Sequence, residues 1–147
     1  MRNSGIGFIG LGQMGLGMAN NLAKIATPFY AYDAVPAATD RLDGDDVLIA
    51  STLGNLAATC HLIFLCLPSA KEVNEVIFGA GGIAESVQGD LAIIDTSTID
   101  RLEAIAIHDK LVSRGITYAD CPISGLPFRA TEGTLTLMFG GSKLLFD

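Results

Sequence analysis

Six residues near the amino terminus, Gly10-Leu11-Gly12-Gln13-Met14-Gly15, carry the spacing Gly-x-Gly-x-x-Gly, and Asp33 follows 18 residues after the last of them. The chemistry open to this set is the grip of a dinucleotide. Gly10 permits a tight turn, Gly12 lets the backbone approach a pyrophosphate with no Cβ in the way, and Gly15 lets a helix pack close to a strand. A helix that starts inside such a turn adds free amides and the positive end of its dipole. A carboxylate at Asp33 can accept hydrogen bonds from both hydroxyls of the adenosine ribose and would repel a 2′-phosphate. Neither Ala34 nor Val35 supplies an arginine to hold that phosphate, so the set predicts NAD rather than NADP. An acid at this position could equally be a solvated strand-end residue or a helix cap.

These residues need a strand before the glycines, a helix through them and a second strand ending at Asp33. The chain provides that order. Ile6 to Ile9 reads as a strand, Met14 to Lys24 as a helix with Met14, Met18, Leu22 and Ile25 at helical spacing, and Pro28 to Asp33 as the second strand. Further on, strands are predicted at Val47 to Ala50, Leu62 to Leu67, Leu91 to Asp95 and Ile116 to Asp120. Helices are predicted at Leu53 to Thr59, Ala70 to Phe78 and Asp100 to Arg114, the last turning Leu102, Ile105, Ala106 and Leu111 inward. Gly79 to Gly82 reads as a glycine break. From Cys121 to Glu132 two prolines suggest a loop, followed by a strand at Thr134 to Phe139 and a helix starting after Ser142. Strands alternating with helices predict an α/β fold of the Rossmann type, a doubly wound, mainly parallel sheet with helices on both faces. The uniformly apolar run Leu62 to Leu67 suits a central strand covered on both sides.

Composition narrows the partners. The 147 residues suffice for one domain, residues 1–147, and half of them are apolar while 17% are charged. A net charge of −7 disfavours nucleic acid, which is bound through phosphate-neutralising Lys and Arg. Cys60, Cys66 and Cys121 are widely spaced and read as reduced core thiols, and neither they nor His61 and His108 have metal-ligand spacing, so no metal is expected. The start Met1-Arg2-Asn3-Ser4 runs into a strand with no signal-peptide pattern, and no apolar run reaches the roughly 20 residues of a membrane span. A cytoplasmic protein with no membrane partner is the expectation.

Four more segments extend the glycine turn and Met18-Ala19-Asn20-Asn21-Leu22: Cys66-Leu67-Pro68, Asp95-Thr96-Ser97-Thr98-Ile99-Asp100, Asp120-Cys121-Pro122-Ile123-Ser124-Gly125, and Gly133-Thr134-Leu135-Thr136 with Met138 and Gly140-Gly141. In this order they resemble the β-hydroxyacid dehydrogenase family, which includes 3-hydroxyisobutyrate dehydrogenase and tartronate semialdehyde reductase. The resemblance covers essentially the whole chain and about the first half of a full-length member.

It implies that Gly10 to Gly15, Asp33, Leu67, Pro68 and Thr98 bind NAD, with Thr98 at the nicotinamide half. It also implies that Ser124, Gly125 and Leu126 meet the carboxylate of a small hydroxy acid. Other roles remain open: Pro68 as a plain strand terminator, Thr98 as a helix cap, Ser124-Gly125 as a turn. Two positions depart from the family pattern. Leu126 stands where a second glycine is usual and would crowd the site, and Arg101 stands where proline is usual.

The family oxidises its substrate by hydride transfer to the nicotinamide while a lysine moves the proton. That lysine belongs to a helix beyond Asp147, since Lys24, Lys71, Lys110 and Lys143 all fall on ordinary helical segments. The expectation is therefore a chain truncated near the end of its dinucleotide-binding domain. It would lack the family's helical second domain, bind NAD and turn over nothing alone, while the full-length protein forms a homo-oligomer. A dinucleotide-binding module without catalysis is the rival reading.

Overall fold

The computed structural model describes residues 4–44, 46–87 and 89–147, so Met1 to Asn3 and the reading made of them lie outside it. Six parallel strands form one sheet in the order β3-β2-β1-β4-β5-β6: β1 (Gly5–Ile9), β2 (Phe29–Tyr32), β3 (Val47–Ile49), β4 (Cys60–Leu65), β5 (Ala92–Asp95) and β6 (Thr117–Asp120). The predicted α/β class and strand positions hold, with ends shifted by one or two residues. Helix α1 (Gln13–Ala23) follows β1, α2 (Leu53–Thr59) precedes β4, α3 (Ala70–Phe78) and α4 (Ile83–Ser86) follow it, and α5 (Arg101–Val112) joins β5 to β6.

Alternate residues along each strand serve opposite faces. Ile9, Ile63, Leu65 and Ile93 pack against Leu56, Val73, Ile77, Ile107 and Leu111 from α2, α3 and α5. On the other face Phe8, Phe29 and Ala31 pack against Ala19 of α1, with the Phe8 and Phe64 rings stacked at 6.2 Å. Helices therefore cover both faces, which explains why Leu62 to Leu67 carries no polar residue.

Four expectations need correction. Helix α5 buries Ala104, Ile107 and Leu111, whereas Leu102 is 70% exposed and Ile105 and Ala106 also face solvent. Two apolar stripes of equal composition compete on this helix, which is capped by Asp100, whose carboxylate accepts from the Leu102 amide at 2.8 Å. Ile25 is likewise exposed, since α1 ends at Ala23.

The segment Cys121 to Glu132 is not a plain loop. It holds a short strand, β7 (Ile123–Ser124), and a helix, α6 (Pro127–Glu132). Proline is tolerated in the first turn of a helix, which has no use for its missing amide, and Gly133 closes α6 in the left-handed region at φ 71°. The following strand shrinks to β8 (Thr136–Leu137), paired antiparallel with β7. The glycine break also leads into α4, and a 3₁₀ turn at Pro36–Arg41 had no sequence signal. Helix α7 (Lys143–Phe146) starts after Ser142 as expected.

Helix α6 seats directly on α1. A Cβ on Gly17 would lie 2.7 Å from the Thr131 nitrogen, and the Asn21 side-chain amide donates to the carbonyls of Ala130 at 2.8 Å and Thr131 at 3.1 Å. Asn21 thereby adds a donor at the end of α6, where the Ala130 carbonyl also accepts from the Gly133 amide. Asn20 bonds Asp43 in both directions, at 3.0 Å each. Gly17→Val should overpack this contact at a cost of about 1–3 kcal/mol and lower the melting temperature, followed by circular dichroism, by about 5 °C or more. A variant that melts with the wild type would refute the close α1–α6 contact.

Candidate functional site

Strand β1 runs to β2 on one side of the sheet, while β4 lies on its other side, so a crevice opens beyond the strand ends between β1 and β4. It is a cleft of about 630 Å³ lined by the glycine turn, Asp33 and Ala34 after β2, and Leu67 and Pro68 after β4. Ile9, Tyr32, Cys66, Glu72 and Val76 complete it; of these Cys66 belongs to the Cys66-Leu67-Pro68 segment, and no sequence signal had marked Glu72 or Val76.

The turn works by close backbone approach. Gly10 adopts φ 97°, and a Cβ there would run into the Cys66 carbonyl oxygen; a Cβ on Gly15 would run into the carbonyl oxygen of Gly10. Gly12 differs, because a Cβ on it would meet nothing within 4 Å. The space it leaves faces the start of α1, which has no side-chain cap and no acidic residue in its first turn. Uncapped amides at the positive end of an eleven-residue helix, beside an open cradle, fit a pyrophosphate.

Asp33 is a structural part of this cradle. Its carboxylate accepts from the Leu11 amide at 2.7 Å and from the Val35 amide at 2.8 Å, which locks the turn after β1 to the end of β2. A carboxylate has about four acceptor sites, so two stay open toward a ribose. From the 3₁₀ turn, Arg41 reaches back and donates to the Leu11 carbonyl at 2.5 Å. The immediate neighbours Ala34 and Val35 gave no hint of this cation.

Five residues that the resemblance implied lie outside the cleft lining; one of them, Leu11, is fully buried in the core and meets the site only through its backbone. Thr98 is exposed between β5 and α5, and it is not the cap of α5, which is Asp100. Ser124 sits in β7 opposite Thr136, and Gly125 turns at φ 144°, where a Cβ would strike the Leu135 side chain at 2.7 Å. Leu126 precedes α6 with its side chain 62% exposed. A second hollow, of about 400 Å³, lies between α1, α6 and the carboxy-terminal segment, lined mainly by apolar side chains such as Phe64, Ile94 and Phe139. With no charged residue in its lining, it is ill-suited to phosphate.

Sequence reasoning missed a buried polar cluster behind the cleft. Asp95, at the end of β5, is fully buried and accepts from the Ser97 amide and the Tyr118 hydroxyl, each at 2.9 Å. Burial raises its carboxyl above the usual range, and neighbouring Asp120 adds to the rise, while the Ser97 and Tyr118 bonds oppose it. Burial also raises Tyr118, Cys66 and Cys121, and takes Cys60 to about 11, so all three thiols stay protonated near neutral pH. A single acid closing an apolar strand ahead of Thr96-Ser97-Thr98 was the available signal. Among the described residues no three His, Cys, Asp or Glu side chains cluster as a metal site, and no helix is long and apolar enough to cross a membrane.

The family model described as the NAD binding domain of 6-phosphogluconate dehydrogenase matches residues 5–147. The chain belongs to the β-hydroxyacid dehydrogenase family. It is 34% identical to 2-(hydroxymethyl)glutarate dehydrogenase of Eubacterium barkeri over 97% of this chain and 47% of that protein. It is 36% identical to the mitochondrial 3-hydroxyisobutyrate dehydrogenase of Mus musculus over 92% of this chain and 41% of that one. The solved structure of Mycobacterium tuberculosis 3-hydroxyisobutyrate dehydrogenase with L-serine superposes with a TM-score of 0.88 at 26% identity, over 99% of this chain and 49% of that chain. The chain thus spans about half the length of the curated relatives it matches, and that half is the family's NAD-binding domain.

Two measurements follow from this geometry. Gly12→Ala should melt within about 2 °C of the wild type, since its methyl meets open space, yet weaken NADH binding at least about tenfold by displacing the phosphates from their amides. Unchanged NADH affinity in a fluorescence titration would remove the cradle. The second concerns Asp120, whose Oδ1 is buried with no hydrogen-bond partner among the described residues and whose carboxyl burial holds above its ordinary 3.8. A raised acid contributes its stability below the unfolded value and loses it as pH rises through the folded one. Asp120→Asn should therefore melt higher than the wild type at pH 7, with the gap closing as pH falls toward 3.8; a gap that widens in acid would reverse the assignment.

Proposed function

We propose that this chain is the cofactor-holding half of an NAD-dependent oxidoreductase that transfers hydride between the nicotinamide and a small β-hydroxy acid of the 3-hydroxyisobutyrate or 2-hydroxy-3-oxopropionate kind. The observation that carries the reading is the clamped Asp33 carboxylate at the mouth of a phosphate cradle. Held by two backbone amides, it cannot swing away from a 2′-phosphate, and the nearby Arg41 guanidinium is engaged at the Leu11 carbonyl. Both features favour NAD over NADP.

When bound, the cofactor supplies the hydride acceptor. The chain's own contribution is to fix that cofactor: the amides opening α1 take the pyrophosphate, Asp33 takes the ribose, and Leu67 and Pro68 form the opposite wall. Thr98 serves the nicotinamide end, and Ser124, Gly125 and Leu126 the substrate carboxylate. None of Lys24, Lys71, Lys110 or Lys143 lines the cleft. The proton carrier is accordingly a lysine outside these 147 residues, the chain alone is inactive, and the full-length enzyme is a homo-oligomer of a reducing compartment such as the cytoplasm.

Because no lysine lines the cleft, a non-catalytic dinucleotide-binding module is the second reading. Fluorescence titration of the chain should give a tighter dissociation constant for NADH than for NADPH, and tighter NADPH binding would overturn the cofactor assignment. In an NAD reduction assay with 3-hydroxyisobutyrate and glycerate, the chain should be silent while the full-length parent protein turns over. Turnover by the chain alone would refute the missing lysine, and a silent parent that still binds NADH would favour the module.

A further inference from the structure

The wall of the cleft formed by Leu67 and Pro68 is held from behind by a hydrogen-bonded relay that crosses three strands. The Leu67 amide donates to the Ser97 hydroxyl oxygen at 2.9 Å. Ser97 is held in turn by the Asp95 carboxylate, which accepts the Ser97 backbone amide on Oδ1 and the Tyr118 hydroxyl on Oδ2, each at 2.9 Å. Beside it, the amide and hydroxyl of Thr96 both donate to the Leu65 carbonyl, at 2.8 and 2.6 Å. The four residues Asp95, Thr96, Ser97 and Tyr118 are all at most 4% exposed.

Burying a carboxylate is expensive, and the β5–β6 pairing it spans is already supplied by four backbone register pairs. The acid does something that an apolar residue there would not. By accepting the amide two residues on, the carboxylate fixes the turn that leaves β5. Ser97 is thereby placed with its hydroxyl oxygen toward the Leu67 amide. No atom of Asp95 or Ser97 lines the cleft, whereas Leu67 and Pro68 do.

We propose that Asp95 is a positioning residue for dinucleotide binding: acting through Ser97, it sets the Leu67 amide and so the wall on which the cofactor lies. This rests on the reading of the cleft as the dinucleotide site. Tyr118, on the strand that leads to Asp120 and the Ser124 loop, ties the same carboxylate to the far side of the sheet.

The test titrates NADH into the chain and its Ser97 variants well below each melting temperature. Ser97→Ala should bind about tenfold more weakly. Ser97→Cys, which keeps the volume but is a poor acceptor, should lose nearly as much, and Ser97→Thr, which keeps the hydroxyl, should recover most of the affinity. Asp95→Asn should weaken binding on its own yet add less than about twofold on top of Ser97→Ala, since both act along one path. If Asp95→Asn does not fold, Tyr118→Phe replaces it, with a smaller loss that likewise vanishes in the Ser97→Ala background. A merely structural role would predict losses that track melting temperature, with Cys tolerated and the Asp95 and Ser97 effects adding; that pattern, or wild-type affinity in Ser97→Ala, overturns the proposal. A wild-type chain that binds no NADH overturns the dinucleotide site itself and this proposal with it.

Discussion

At the end of β1 three stretches of backbone meet with no side chain between them. Gly10 lies against the Cys66 carbonyl of β4, and Gly15 lies against the carbonyl of Gly10, so the first turn of α1, the end of β1 and the end of β4 share one contact. Close approach of this kind cannot be reached with a Cβ at either glycine. It fixes how α1 leaves the sheet and where its amides point, and the width of the cleft follows from it. Asp33 then adds a third strand to the junction through the Leu11 amide. The core on both faces supports this arrangement, but the junction decides what the cleft can hold.

The parts of the molecule that were legible in its sequence are those set by short-range rules. A glycine spacing placed between a strand and a helix specifies its own turn, and the buried parallel strands announce themselves because both faces are covered. Helix α3 has the residues predicted, from Ala70 to Phe78. What escaped was decided by competition between near-equal options. On α5, Leu102 and Ile105 form as good an apolar stripe as Ala104 and Ile107, and only the packed structure shows that the second faces the core. At Pro127 a residue that breaks helices from within opens one instead, because the first turn makes no use of the amide it lacks.

The candidate site divides the same way. Gly10, Gly12 to Gly15, Asp33, Leu67 and Pro68 converge on one cleft, while Leu11 is buried in the core and Thr98 and Ser124 to Leu126 stand apart from the cleft. The reach of Arg41 to the Leu11 carbonyl and the relay behind Leu67 were not legible at all, since each joins residues about 30 positions apart through side chains that belong to no local pattern. Polar networks of this sort carry no periodicity. They become visible only when the strands bring their ends together, here with Leu65, Asp95 and Asp120 in register.

The clamp that Asp33 makes, together with the ribose contact proposed for it, has a consequence for how cofactor preference can change in this fold. The usual route to accepting a 2′-phosphate is to remove the acid, but here removal also releases the amides of Leu11 and Val35, and with them the hold on the glycine turn. Selectivity and local rigidity are thus inherited together. Asparagine would keep a single oxygen to serve two amides, and its amino group can only donate. A lineage or an engineer switching this domain to the phosphorylated cofactor must first find another anchor for the turn.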